Sequence, residues 1–212
     1  MALKVLGAVL AGGTSRRMGR DKASAVLGGV SMLERTVDTL AEICEDVVVV
    51  SSREETPTGA WDVIGDLRPG AGPLAGLEAA LSYGAREGYH AVFVLACDLP
   101  LVGVALVREV LRVRQLKESL DTAAGAWAAA ASRDGVPDFE PLCAAYSITC
   151  LPIAAALLDR GEGAARALFE AVDGTRVVLS DSEVDGAEDV PALLNVNTED
   201  DLRRAEAGLS KR

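Results

Sequence analysis

Residues 3–22 read LKVLGAVLAGGTSRRMGRDK, a mostly apolar run that ends in a glycine pair and a cluster of basic side chains. A Val- and Leu-rich run bounded by glycine is the pattern of a buried strand, so Leu3–Leu10 is predicted to open a sheet. Gly12 and Gly13 then remove the side chains that would block close backbone approach, and their amides can face phosphate oxygens. Arg16, Arg17, Arg20 and Lys22 follow, four cations within seven residues. The chain as a whole has 21 Lys and Arg against 32 Asp and Glu, a net charge of −11. A basic cluster in such an acidic chain is what an anionic ligand needs. The spacing is not that of a Walker loop, because five residues separate Gly13 from Gly19 and Arg20 follows where Lys should. Nor is it G-x-G-x-x-G, so neither a P-loop NTPase nor a dinucleotide oxidoreductase is indicated.

Outward from this stretch, short apolar runs alternate with helical patterns, the signature of βα units and a largely parallel sheet. Ser31 and Glu34 form a capping box ahead of Leu33, Val37, Leu40 and Ile43, which predicts a helix to about Cys44. Val47–Ser51 and Trp61–Ile64 read as strands, Pro73 opens a helix to about Tyr83, and Ala91–Ala96 is a buried strand. A helix is expected from Val104 to about Lys117. Strands near Ala126–Ala131, Pro141–Tyr146 and Val177–Leu179 follow, with a helix over Ile153–Asp159. Thr198 caps a last helix whose first turn carries Glu199 and Asp200. No composition break divides the chain, so the expectation is one α/β domain over residues 1–212.

Composition narrows the functional classes. Half of the residues are hydrophobic and only 4% aromatic, so the core must come from Ala, Val and Leu and a disordered chain is excluded. The net negative charge argues against a nucleic-acid partner. One histidine, His90, removes multi-His zinc sites and nearly all Ser-His-Asp hydrolases. The four cysteines are too far apart for a C-x-x-C pair and no secretory leader precedes them. They are expected to be reduced thiols in a cytoplasmic protein without a membrane span. Gly161-Glu162-Gly163-Ala164-Ala165-Arg166 imitates part of a dinucleotide fingerprint but follows a helical pattern, so it reads as a turn.

Ligands of open α/β sheets bind outside the carboxyl ends of the strands. Three segments leave such ends: Leu10–Lys22, Asp66–Gly76 and Cys97–Pro100. In the second, Gly70, Gly72 and Gly76 lead into a helix whose free N-terminus would point positive charge at the crevice. In the third, Asp98 is placed to hold Mg²⁺, which takes oxygen ligands and phosphates. Convergence of the three predicts a cation-lined pocket for an anionic, phosphate-bearing ligand.

The blocks L-A-G-G-T-S-R-R-M-G-R-D-K at 10–22, G-P-L-A-G-L at 72–77, C-D-L-P at 97–100 and N-V-N-T-E-D-D-L at 195–202 resemble the molybdenum cofactor guanylyltransferase family, in that order and over essentially the whole chain. The resemblance implies a three-layer, Rossmann-like nucleotidyltransferase domain with a predominantly parallel, mixed sheet. Its N-terminal half would bind nucleotide and its C-terminal half the acceptor. It also implies transfer of GMP from GTP to molybdenum-bearing molybdopterin, with Mg²⁺ as cofactor, and molybdoenzyme clients or their chaperones as partners. By resemblance, Leu10, Ala11, Gly12, Gly13, Lys22, Ser51, Asp66 and Asp98 would form the nucleotide side. Arg17, Lys22 and Asp98 would be catalytic, Asp98 would bind the metal, and Asn195 and Asn197 would face the acceptor. Two residues depart from the family pattern: Ser51 and Glu140 stand where relatives commonly have Asn and Gln. Two other readings remain open: a small nucleotidyltransferase acting with CTP or on a sugar or alcohol phosphate, and a non-catalytic nucleotide-binding accessory protein.

Overall fold

The computed structural model describes residues 4–12, 23–51, 61–118, 125–133, 136–178 and 192–209. In chain order these form β1 (Val5–Leu10), the short pair β2 (Val26–Leu27) and β3 (Val30–Ser31), α1 (Met32–Ala41), β4 (Asp46–Val50), β5 (Asp62–Ile64), α2 (Pro73–Arg86) and β6 (Ala91–Ala96). There follow α3 (Val104–Glu118), β7 (Ala126–Arg133), β8 (Val136–Ser147), α4 (Leu151–Asp159), α5 (Ala165–Ala171), β9 (Thr175–Val178) and α6 (Glu199–Leu209). Seven strands make one sheet in the order β5-β4-β1-β6-β8-β7-β9. The pairs on β1 are parallel, as are β4–β5 and β7–β9, whereas β8 runs antiparallel to both β6 and β7. The expected α/β class with a mostly parallel, mixed sheet is the one observed.

Strand periodicity sorts side chains to the two faces. Leu6, Ala8 and Leu10 of β1 join Val48, Val50, Val92 and Val94 under α2, α4 and α5. Val9, Val49, Phe93 and Leu95 pack instead with Leu33, Val37 and Leu40 of α1 and Leu106, Val107 and Val110 of α3. The result is three layers, with the sheet in the middle. The core is aliphatic, as the low aromatic content requires. A third cluster lies off the sheet, where Ala25, Leu27 and Met32 meet Leu101, Val196, Leu202 and Ala205. It joins the segments on which the candidate site depends.

Local chemistry accounts for the element ends. The Ser31 hydroxyl accepts from the Glu34 amide at 3.1 Å, and the Glu34 carboxylate accepts from the Ser31 amide at 3.1 Å, so the expected capping box starts α1. Pro73 stands in the first turn of α2. Three features differ from expectation beyond small shifts at the ends: helix α5 (Ala165–Ala171), which was not predicted, and two among the strands. The β2–β3 hairpin, turned by Gly28 and Gly29 at φ of 61° and 87°, was not predicted; both residues sit in the left-handed region that a tight hairpin requires. The strand expected at Pro141 begins at Val136, because the register of β7 on β8 jumps from Ala128↔Ala144 to Ala129↔Glu140. Pro141, Leu142 and Cys143 therefore lie in a bulge on the β7 side, where a proline breaks no ladder bond. No helix among the described residues is long and apolar enough to cross a membrane.

Candidate functional site

The register of the parallel strands makes the site. Leu10 of β1 is level with Val50 of β4 and with Ala96 of β6, and Val50 is level with Ile64 of β5. Each chain steps out of the sheet while bonded to its neighbour. The Ala11 amide donates to the Val50 carbonyl at 3.0 Å, Ser51 to Ile64 at 3.0 Å, and Cys97 to Leu10 at 3.1 Å. At the usual strand spacing these four exits span roughly 14 Å. Sheet order reverses at β1, with β4 and β5 on one side and β6 on the other, which is where an open α/β sheet leaves a crevice.

The sequence-predicted residues fall along this edge as follows. Leu10 is buried and its side chain packs under Gly76, whose ideal Cβ would lie 3.5 Å from it, so Leu10 can offer a ligand only backbone. Gly76 thus serves helix-to-sheet packing and does not line the crevice. Ala11 is buried and Gly12 exposed, with no described atom within 4 Å of a Cβ built on Gly12. Gly13, Arg16, Arg17, Arg20 and Lys22 lie outside the described residues. Ala11 and Ala23, which flank that segment, share one core cluster. Ser51 is buried at the exit of β4. Asp66 is half-buried past β5, and its Oδ1 accepts from the Arg68 amide at 2.8 Å in an Asx turn. Asp98 is the half-exposed member of a buried run, with Cys97 and Leu99 packed inward on either side.

The asparagines of the C-terminal block reach the same place. The Val196 amide donates to the Asp98 carbonyl oxygen at 2.8 Å, so Asn195 and Asn197 flank a residue anchored on the aspartate. Asn195 is exposed, and its Nδ2 donates to Glu140 Oε2 at 3.4 Å. Glu140 stands three residues before Cys143, which β8 pairs with Leu95 near the end of β6, so the strand carries it toward the turn that holds Asp98. Burial pushes the Glu140 carboxyl above its ordinary range. Bonds from the Leu142 amide and Asn195 pull it back, Asp98 adds to the rise, and Arg166 opposes it. The Arg166 guanidinium stacks 4.1 Å from the centroid of the Phe139 ring, beside this carboxylate. The family pattern marks Glu140 as a departure on the acceptor side; its bond to Asn195, and the place of Arg166 on α5 beside it, are not expected from the sequence.

The helix N-terminus expected to be free is in use. The Leu74 amide at the start of α2 donates to the Gly163 carbonyl at 2.9 Å, and the Ala75 amide donates to Gly72 at 3.1 Å. The glycines serve this approach of two loops. Gly72 has φ of 94°, and a Cβ on Gly163 would lie 2.0 Å from the Ala71 carbonyl oxygen. Arg68 reinforces the junction, donating to the buried Glu78 of α2 at 3.0 Å and to Asp159 of α4 at 2.6 Å. Of the cysteines, Cys97 alone adjoins Asp98 in sequence, and its side chain is buried. Cys44 and Cys150 are buried, with thiols pushed up to about 12 by desolvation, and His90 accepts a bond from the Lys4 amide away from the crevice.

Residues 7–177 match the MobA-like NTP transferase domain. The chain belongs to that family. The matched span runs from β1 to β9 and takes in every strand exit on the nucleotide edge, while Asn195, Asn197 and α6 lie beyond it. Those residues fall within the longer likeness to a molybdenum cofactor guanylyltransferase of Desulfosudis oleivorans, 30% identical over 97% of this chain and 96% of that protein. A probable molybdenum cofactor guanylyltransferase of Opitutus terrae is 40% identical over 76% of this chain and 75% of its own length. Among solved structures, molybdopterin-guanine dinucleotide biosynthesis protein A of Archaeoglobus fulgidus superposes with a TM-score of 0.74 at 25% identity. That superposition covers 98% of this chain and all of the other. As a member of the MobA-like family the chain is a nucleotidyltransferase.

Proposed function

We propose that the chain transfers GMP from GTP to the terminal phosphate of molybdenum-bearing molybdopterin, releasing pyrophosphate and giving the guanine dinucleotide. What supports this above all is the bond from the Val196 amide to the Asp98 carbonyl, which joins the acceptor-side asparagines to the nucleotide edge. Residues 1–212 act as one domain, the N-terminal half taking the nucleotide and the C-terminal half the acceptor. The cytoplasm is its place of action, and molybdoenzyme clients or their chaperones would receive the product.

The nucleotide lies across the exits of β5, β4, β1 and β6. Backbone at Leu10, Ala11, Gly12 and Gly13, with Ser51 and Asp66, holds it, and Arg17 and Lys22 hold the triphosphate. The donor set fits a hard divalent cation: Asp98 offers carboxylate oxygen at the crevice, no His is near, and the cysteines are buried. Among the described residues no three His, Cys, Asp or Glu converge, so Asp98 would hold Mg²⁺ together with phosphate oxygens and water. When bound, the ion neutralises charge on the phosphates during displacement.

The chemistry needs no protein nucleophile. A phosphate oxygen of the acceptor forms the new bond to the α-phosphorus of GTP, and the bond from that phosphorus to the bridging oxygen breaks, so pyrophosphate carries away the electron pair. Two polyanions must approach, and their Coulomb repulsion is the barrier the site must lower. Arg17, Lys22 and the loop amides offset that charge, while Asn195 and Asn197 orient the attacking phosphate in line.

Pyrophosphate release with molybdenum-bearing molybdopterin as acceptor, measured with GTP, CTP, ATP and UTP in turn, tests the reading. GTP is expected to be the substrate. Preference for CTP would make the chain a cytidylyltransferase, and GTP binding without release would make it an accessory binder.

A further inference from the structure

Phe139 of β8 carries two guanidinium groups. That of Arg166, on α5, lies 4.1 Å from the ring centroid, and that of Arg176, on β9, lies 4.9 Å from it. The ring itself is fixed, being buried and stacked on Phe169 with centroids 4.3 Å apart. Val177 packs on the α1 and α3 side of the sheet, so its neighbour Arg176 points to the other side, which α5 covers. Both arginines are exposed. Arg166 gives one donor to the Phe139 carbonyl at 3.4 Å, and Arg176 makes no ion pair among the described residues. A guanidinium seated on an aromatic face keeps its N–H groups at its edge, in the plane that suits paired bonds to an oxyanion.

Place and charge single out the ligand. Glu140 follows Phe139, and its bond to Asn195 sets the ring beyond the acceptor-side asparagines as seen from Asp98. Arg176 stands on the edge strand at the opposite side of the sheet from β5, away from the exits over which the nucleotide lies. Asp98 and Glu140 place carboxylates on this half of a chain whose net charge is −11. An anionic acceptor must therefore be drawn in by local positive charge.

We propose that Arg166 and Arg176, seated on the Phe139 ring, form an oxyanion clamp in the acceptor subsite. That the ligand is the acceptor rests on the function proposed above. Molybdenum-bearing molybdopterin offers two oxyanionic ends, its terminal phosphate and its oxo-metal group, and paired guanidinium N–H bonds suit either. No bond is made or broken at the clamp. It supplies binding in ground state and transition state alike, so its loss raises the acceptor KM and leaves kcat nearly unchanged.

The test removes the charges and keeps the bulk. R166M, R176M and R166M/R176M retain an unbranched apolar stem against Phe139, while R86M removes a charge at the far end of α2. Acceptor KM, GTP KM and kcat are measured beside urea midpoints. Each single variant should raise the acceptor KM roughly three- to tenfold, less than for a buried charged bond because both side chains are exposed. The double variant should raise it roughly ten- to hundredfold, with the GTP KM unchanged. R166K keeps the charge but loses the fork, and should fall between the parent and R166M. An acceptor KM within about twofold of the parent in the folded double variant overturns the proposal, as does an equal loss in R86M.

Retention of the acceptor on ultrafiltration without nucleotide, with metal-bearing and metal-free molybdopterin in turn, names the group that is held. Weaker retention of both forms by R166M/R176M assigns the clamp to the phosphate, and weaker retention of the metal-bearing form alone assigns it to the oxo-metal group. Equal retention by parent and double variant overturns the clamp. Acceptor held by the parent and lost by the double variant, with no transfer from any nucleotide, sinks the proposed function and leaves the clamp standing. Normal transfer by the double variant does the reverse, and an acceptor that the parent does not retain overturns both.

Discussion

The Val196 amide and the Asp98 carbonyl oxygen lie 2.8 Å apart, a backbone bond between the turn that ends β6 and a segment almost a hundred residues later in the chain. It depends on neither side chain, which separates the chemistry of Asp98 from its part in holding the crevice together. The substitution D98A should therefore leave the bond and the fold in place while removing the carboxylate at the mouth of the site. Turnover is expected to fall by roughly 10²–10³, the scale seen when one electrostatic group is removed from a site that stabilises developing charge. The melting temperature should move by only a few degrees. A folded D98A protein with near-normal turnover in Mg²⁺ would defeat the role given to Asp98.

Gly163 offers a test of the contact that closes the start of α2. A methyl group there would lie 2.0 Å from the Ala71 carbonyl oxygen, and both partners are backbone. Neither loop can give way cheaply, because the Gly163 carbonyl also accepts from Leu74. G163A should lower stability by about 1–3 kcal/mol, the usual cost of overpacking. It should also raise the KM for GTP, since Asp66 and the glycine loop move with the junction. Urea denaturation at unchanged m-value, read beside the GTP KM, checks both.

How far such features could be read in advance depends on how local their causes are. The strand at Ala91–Ala96 is legible to the residue because a fully buried run carries its own pattern. The capping box at Ser31 is legible because its two partners sit three residues apart. The alignment of three strand exits follows from parallel pairing, a property of the fold class. The place of Glu140 follows from nothing local. It needs β8 paired with β6 and the Asn195 segment held on Asp98 by the Val196 amide, and only then does the carboxylate come beside Asn195. The use of the α2 amides was hidden for the same reason: Gly163 lies about ninety residues from Leu74, and its approach depends on the packing of α4 and α5. Short α5 escaped because an alanine-rich stretch after Gly161 and Gly163 has neither a capping side chain nor a long apolar stripe.

Arg68 is 35% exposed along its side chain, whereas its partner Glu78 is 7% exposed. Desolvation of the carboxylate is thus the larger liability when the pair is broken. R68A should lower the urea midpoint, by less than breaking a fully buried pair would, because water reaches the guanidinium side. Removing the charge from both partners in R68A/E78Q should recover part of that loss. Urea midpoints for the two single variants and the double variant form a closed cycle. If E78Q brings no recovery in the R68A background, the cost of R68A comes from lost packing and not from an unpaired carboxylate.

Thr198 and Asp201 hold the end of the acceptor segment. The Thr198 hydroxyl accepts from the Asp201 amide at 3.2 Å, while Asp201 Oδ2 accepts from the amides of Asn197 and Thr198 at 3.1 and 3.0 Å and from the Thr198 hydroxyl at 2.8 Å. These donors, the Thr198 side chain foremost, hold the Asp201 carboxyl below its ordinary value of 3.8. A carboxyl depressed in the folded state stabilises that state in full above the unfolded value, and the contribution is lost as pH falls through the folded value. Acid should accordingly loosen the start of α6, and with it Asn197, in the range below about pH 4. D201N should remove that dependence, and T198A should cost about 1 kcal/mol at neutral pH, the usual worth of a helix cap. Thermal melts of the parent and D201N between pH 3 and pH 7 should draw together as pH falls. Melting curves that stay a constant distance apart across this range would show that the carboxylate does not anchor the segment.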